Sequence, residues 1–392
     1  MTMRKSSRAG VVGLAACALA ATAFTGPAQA SPGTAAAAGD HRATQRAMDE
    51  AVRAGVPGIT AQVRDANGIW KSASGVGNLR TGAPRGKNDR FRVGNITNTF
   101  VATVLLQMEA EKKLSLDDTV EQHLPGLVRG NGNDGREITV RQLLNHTSGL
   151  FDFAGDKEFA ATYFEGDGYL KHRYDTVSPE KRIKVALSHE PAFKPGAMHT
   201  FSNTNDVLAA LIIEKVGGRS YEKEVRKRII KPLKLKATSN PGNRTRLPRP
   251  SGRGYSKLFK AQPDRIDDVT EVNGSQAWGN SDIISSAGDL NRFYGALLRG
   301  KLLPPKQLKE MKTTVDNPYF PGASYGLGIE KYTLSCGTTL WYHDGIMPGW
   351  TTFVATTEDG HQLTFNYNSD WGAETLFPVL NAEYCGAPSR AH

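Results

Sequence analysis

The stretch Phe91-Arg92-Val93-Gly94-Asn95-Ile96-Thr97-Asn98-Thr99-Phe100-Val101 constrains this chain more than any other. It reads as the end of a strand or loop, a glycine turn, and then the start of a long helix ending near Lys113. Val101, Val104, Leu105 and Met108 recur at three- and four-residue spacing, which predicts one buried helix face. A segment that turns into a helix this way aims its first side chain and free backbone N–H groups into a cleft. Asn95 and Asn98 stand one turn apart at that point.

Composition places the chain among ordinary globular proteins: with 392 residues, 39% of them hydrophobic, it can form one large or two closely packed domains. Residues 1–30 read as an export signal, with Arg4, Lys5 and Arg8 before an apolar run and Ala28-Gln29-Ala30 at a small-residue cleavage site. The run is too interrupted, by Gly13, Thr22 and Pro27, to span a membrane. Cys17 offers a lipoprotein site as the lesser alternative, because the apolar run continues past it. A secreted, soluble protein is expected, with 31–40 as a disordered mature terminus and 387–392 as a tail.

Losing the three basic residues of the signal lowers the formal net charge from +10 to +7. The cations that remain are spread along the chain, as at Lys181-Arg182 and Arg226-Lys227-Arg228, without interleaved aromatics. No nucleic-acid module is expected, only solubility and weak attraction to anionic wall polymers. Cys336 and Cys385 remain as an even pair in an exported chain and read as a disulfide. A metal pair is the weaker alternative, since no histidine lies at ligand spacing from either. The other histidines are scattered singly, so no metal site and no cofactor are expected.

Along the chain, Ile59–Arg64 and Ile69–Ser74 read as a hairpin around Asp65-Ala66-Asn67-Gly68. Thr139, Ser178 and Ser286 are placed to cap helices. Residues 240–267 read as a long surface connection. Tyr325–Ile329, Thr339–Tyr342, Thr351–Ala355 and Gln362–Asn366 read as an antiparallel meander, and a last helix covers 375–384. The pattern predicts an α/β protein of α+β type: an antiparallel sheet flanked by helices, built from 41–94 and 270–386, with a mostly helical insertion at 95–269.

Several of these segments carry motifs in a fixed order. Asn95-Ile96-Thr97-Asn98 is followed by Thr139 to Leu150 with its Leu143-Leu144-Asn145-His146-Thr147-Ser148-Gly149 run, by Phe201-Ser202-Asn203, and by His343-Asp344-Gly345. Together they resemble the serine penicillin-recognising hydrolases, specifically the class C β-lactamase and secreted D-alanyl-D-alanine carboxypeptidase branch, over about Ala43 to Gly386. The resemblance implies a β-lactamase/DD-peptidase fold with its site in the cleft between the two parts. It also implies a Ser-x-x-Lys motif where this chain has Asn95 and Asn98, and a Tyr-x-Asn motif where it has Phe201 and Asn203. The nucleophile, base and relay positions are thus all substituted.

A carboxamide is neither basic nor a hydroxyl, and Phe carries no proton. Removing the nucleophile alone costs serine hydrolases on the order of 10⁶ in turnover. His343 and Gly345 match the third motif, whereas Asp344 puts a negative charge where the family has a hydroxyl. Asn203, Gly345, Ile346 and Trp278 are expected to line the ligand site, with the backbone N–H groups of Asn95 and Ile346 as the oxyanion hole. His146 and Ser148 read as a loop satisfying its own backbone. Adjacent on a strand, His343 and Asp344 are expected to point to opposite faces. Two readings follow. One is a monomeric, non-hydrolytic binder of a peptide or β-lactam-like small molecule, peptidoglycan being one source. The alternative is an active serine-hydrolase-family enzyme with an unrecognised nucleophile.

Overall fold

The computed structural model describes residues 40–386. The signal read at 1–30 with Cys17, nearly all of the stretch 31–40, and the tail 387–392 lie outside the described residues. Nine strands form one antiparallel sheet: β1 (Gly58–Asp65), β2 (Gly68–Asn78), β3 (Ala83–Pro84), β4 (Val315–Asp316), β5 (Ala323–Tyr325), β6 (Glu330–Thr333), β7 (Thr339–Met347), β8 (Trp350–Thr356) and β9 (Gln362–Tyr367). The spatial order is β4-β5-β6-β7-β8-β9-β1-β2-β3, so the first strand lies beside the last.

Residue alternation divides two cores between the sheet faces. Leu340, Tyr342, Phe353 and Phe365 point toward α1 (Arg42–Arg53) and the C-terminal helix Leu376–Tyr384. Trp341, Trp350 and Val354 join the larger core on the other face, with α2 (Thr97–Ala110), α3 (Asn203–Gly217) and α4 (Ala287–Leu298). A disulfide between Cys336 and Cys385 ties the β6–β7 turn to the end of the last helix.

Three sequence expectations need correction. One buried face was predicted for α2, yet every residue from Thr97 to Leu106, and Met108, is buried. The helix is central: α3 and the short helix Pro305–Met311 also pack on it. Second, Tyr325–Ile329 is not one strand. The chain leaves β5 at Tyr325 and pairs again only from Glu330. Between them Gly328 takes φ +67°, and a β-carbon there would lie 2.7 Å from the Ala102 Cβ and 2.8 Å from the Asn98 carbonyl oxygen, a turn only glycine fits. Third, residues 240–267 are not merely a surface connection. Leu247, Tyr255 and Leu258 are buried, and Tyr255–Ser256 pairs with Asp267–Asp268. The fully buried Arg92 holds the neighbouring backbone, donating from Nη2 to the Thr245 and Val272 carbonyls at 2.9 Å each.

Candidate functional site

The Phe91–Arg92 segment pairs with Ile284–Ser285, and Val93 N–H donates to the Ile283 carbonyl at 2.9 Å. This fixes the turn that follows. Gly94 has φ +60°, and a β-carbon there would lie 2.8 Å from the Gly345 carbonyl carbon. A β-carbon on Gly345 would in turn lie 2.1 Å from the Val93 oxygen and 2.7 Å from the Asn95 nitrogen. Two glycines thus let the helix-leading turn and β7 touch backbone to backbone. That contact brings the Asn95 and Ile346 backbones to one place, with the Ile346 side chain exposed.

Asn95, Asn203 and the segment after Trp278 meet in a network of amides. Asn203 Oδ1 accepts from Asn95 Nδ2 at 2.9 Å and from Asn280 Nδ2 at 3.0 Å. Asn203 Nδ2 donates to both Asp152 oxygens, at 3.2 and 3.0 Å. Asn280 Oδ1 accepts from Arg182 Nη1 at 3.0 Å. Burial lifts the Asp152 carboxyl to about 6, against the opposing pull of the Ala154 N–H and Asn203, and lowers the enclosed Arg182 to about 10. Asp152, Asn280 and Arg182 were not singled out in the sequence. Arg182 in particular is wholly buried rather than part of a surface charge run. Trp278 turns elsewhere: its Nε1 donates to Glu222 at 2.9 Å and its ring packs edge-on to Tyr221.

Asn98 lies deeper, buried beside the Tyr325 phenol, with neither Nδ2 nor Oδ1 in a well-formed hydrogen bond. The Tyr325 proton is taken, its phenol lying 2.9 Å from His343 Nε2, while its oxygen remains able to accept. His343 Nδ1 lies 2.5 Å from the Asp344 carbonyl, which can only accept, so Nδ1 carries the proton and Nε2 accepts from Tyr325. Burial holds His343 below its ordinary range. Phe201 lies against the His146 ring, centroids 4.5 Å apart. His146 Nδ1 accepts from the Ser202 N–H at 3.3 Å and from Asn205 Nδ2 at 3.0 Å, leaving its proton on Nε2, 3.9 Å from Asp206 Oδ2. Burial drives His146 well below and Asp206 well above their usual ranges, favouring the neutral form of each. Ser148 Oγ donates to Asn205 Oδ1 at 2.6 Å and accepts from the Leu150 N–H.

The hydroxyls near Asn95 are mostly engaged. Thr97 Oγ1 accepts from the Ile283 N–H, and Thr99 Oγ1 donates to the Gly328 carbonyl while meeting the Tyr294 hydroxyl. Ser202 Oγ is buried without a partner.

His343 and Asp344 follow the strand alternation, their cross-strand partners Val354 and Phe353 belonging to the two different cores, yet their side chains stay close. Ligand-type atoms of Glu330, His343 and Asp344 lie within 4.8 Å of one another. Cross-strand register creates the group, which histidine spacing along a helix cannot reveal. Glu330 accepts the Tyr342 hydroxyl at 2.8 Å, and burial, then Asp344, lifts it to about 8. With both His343 nitrogens engaged, the arrangement is that of two crowded acids whose burial favours their protonated forms rather than a preformed cation cage.

A nine-stranded antiparallel sheet with helices on both faces, and a helix-leading turn packed against a His-x-Gly strand, defines a serine penicillin-recognising hydrolase architecture. The sequence matches the beta-lactamase family over residues 34–373, and the chain belongs to that family. Among solved structures it is similar to a D-stereospecific amidohydrolase from Streptomyces sp., with 50% identity, a TM-score of 0.84, and 89% of this chain and 100% of that one covered. The D-amino acid amidase of Ochrobactrum anthropi SV3, solved with L-phenylalanine, is 26% identical with a TM-score of 0.75, covering 87% and 98%. The PbpX protein of Bacillus subtilis (strain 168), named as a penicillin-binding protein, is 27% identical over 296 residues. That alignment takes in 75% of this chain and spans 66% of the relative's length. No helix among the described residues is long and apolar enough to cross a membrane.

Proposed function

We propose that this protein is a non-hydrolytic member of its family that binds a small peptide or amino-acid amide, including cell-wall peptide, between Asn95, Asn203 and Gly345. The observation that carries this reading is the Asn95–Asn203 hydrogen bond of 2.9 Å. At the position where the family motif has its nucleophile, the side chain is a carboxamide tied into a structural network. Its partner one turn on, Asn98, has no proton-accepting nitrogen, and Phe201 has no proton to relay. The backbone around Gly345 is kept, so an amide or carboxylate can still be held where the side-chain chemistry has gone. The names of the two amidase relatives favour amides of D-amino acids as the ligand class. Export through residues 1–30, and a monomeric state, belong to the same proposal.

The test is intact mass after incubation with a penicillin and with an acyl-D-alanyl ester, on the wild type and on the double variant Asn95→Ser, Asn98→Lys. No adduct on the wild type and one on the variant is the expected result. A stable adduct on the wild type overturns the proposal. That outcome would favour the second reading, an active hydrolase with another nucleophile. The buried, unpartnered Ser202 hydroxyl and the 50% identity to an amidohydrolase support this alternative. Turnover lost on His343→Ala and on Ser202→Ala would establish it.

A further inference from the structure

A second concave surface lies where β1 and β2 meet the start of α4, and it shares no residue with the cleft. Two hollows of about 170 and 590 Å³ adjoin there, both lined by Asn88, Ser286, Asp289 and Arg292. Arg64, Lys71 and Lys87 line the smaller, and Arg90, Lys234 and Lys236 the larger. All but Arg90 of these six are exposed, and Arg292 is exposed between them.

The charge is uncompensated. Among the described residues, Arg292 is the only one of the seven in an ion pair, 3.7 Å from Asp289. Asp289 is itself consumed, its Oδ2 accepting the Ala237 N–H at 2.8 Å and the Thr238 hydroxyl at 3.0 Å. Lys71 meets only the neutral Asn88 carboxamide, at 2.8 Å. Seven like charges along a continuous groove repel one another at low salt and attract a polymer of opposite sign, releasing its counterions. No aromatic side chain lines either hollow, so the groove lacks the platform on which nucleic-acid bases stack.

We propose that this groove binds a flexible, base-free phosphate polymer, independently of what the cleft holds. Medium-chain inorganic polyphosphate is the probe, titrated between about 50 and about 200 mM salt. The groove variant Lys71→Glu, Lys87→Glu, Lys236→Glu is compared with Lys157→Glu, Lys184→Glu, Lys227→Glu, which changes net charge equally on the helical part. Wild type is expected to bind with affinity falling steeply with salt. The groove variant should weaken binding by at least ~10-fold and lower the salt slope by about 2. The control variant should weaken it less than ~3-fold. Lys236→Gln alone repeats the measurement if the triple variant melts early. No binding by wild type at the lowest salt, or equal losses in both triple variants, overturns the proposal. So does tighter binding of single-stranded DNA than of polyphosphate.

Discussion

Replacing Asn98 with Leu should stabilise the free protein. The Asn98 side chain is buried, and neither Nδ2 nor Oδ1 makes a well-formed hydrogen bond, the Tyr325 phenol beside it being at best a weak partner. A buried carboxamide without partners forfeits its hydration for nothing, at a cost of about 1–3 kcal/mol. Leu keeps the branched four-atom skeleton of Asn with somewhat bulkier ends, and α2 is packed in apolar surroundings on most sides, so the added bulk takes back only part of the gain. The expected gain is about 2 kcal/mol, which for some 350 folded residues is about 3 °C in Tm. Urea unfolding with an unchanged slope, together with a melting curve, measures it. A loss of more than ~1 kcal/mol would falsify the reasoning, since it would mean that the amide is satisfied in solution, by water or by the Tyr325 oxygen. The same variant should bind the cleft ligand more weakly if the unused amide is what meets it.

Two further perturbations test the neighbouring strands. Burial and Asp344 lift the folded-state Glu330 from 4.5 to about 8; the folded protein therefore holds a proton that the unfolded chain gives up, and stability falls as pH rises through that window. Glu330→Gln should remove this decline, leaving stability nearly unchanged near pH 4.5 but raising it on the order of 4–5 kcal/mol at pH 8.5; parallel melting profiles for the two proteins would refute the burial argument. Gly345→Ala should cost about 3 kcal/mol, because its β-carbon meets the backbone of Val93 and Asn95, which cannot swing aside. Wild-type unfolding energy in that variant would show that the turn and β7 are not in the contact described.

What the sequence made legible was local. The hairpin follows from Asp65 to Gly68, whose Asp65 Oδ1 accepts the Asn67 and Gly68 N–H groups. The caps at Thr139, Ser178 and Ser286 follow from side chains that reach their own helix N-termini. Asn95 and Asn203 were legible through the motif order. Asp152, Asn280 and Arg182 were not, because three distant segments must pack before an amide on one can meet a carboxylate on another. The apolar alternation of Tyr325, Leu327 and Ile329 imitates a strand, although the two later residues are buried in the helical core by a turn. Arg182 looks like surface charge until its carbonyl and amide acceptors are seen. The basic groove is invisible for the converse reason: its seven cations come from five separate stretches of the chain.

The pairing of β1 with β9 also sets an order of assembly. Ile59 to Arg64 find their partners, Gln362 to Tyr367, only about 300 residues later, a contact of very high sequence separation. During synthesis the first hairpin must wait with one edge unsatisfied while the helical middle emerges and folds behind it. A chain stopped before β9 would keep that edge open, ready to take up a strand from another copy. Completing the final strands is therefore the step that turns a sticky half-sheet into a closed molecule.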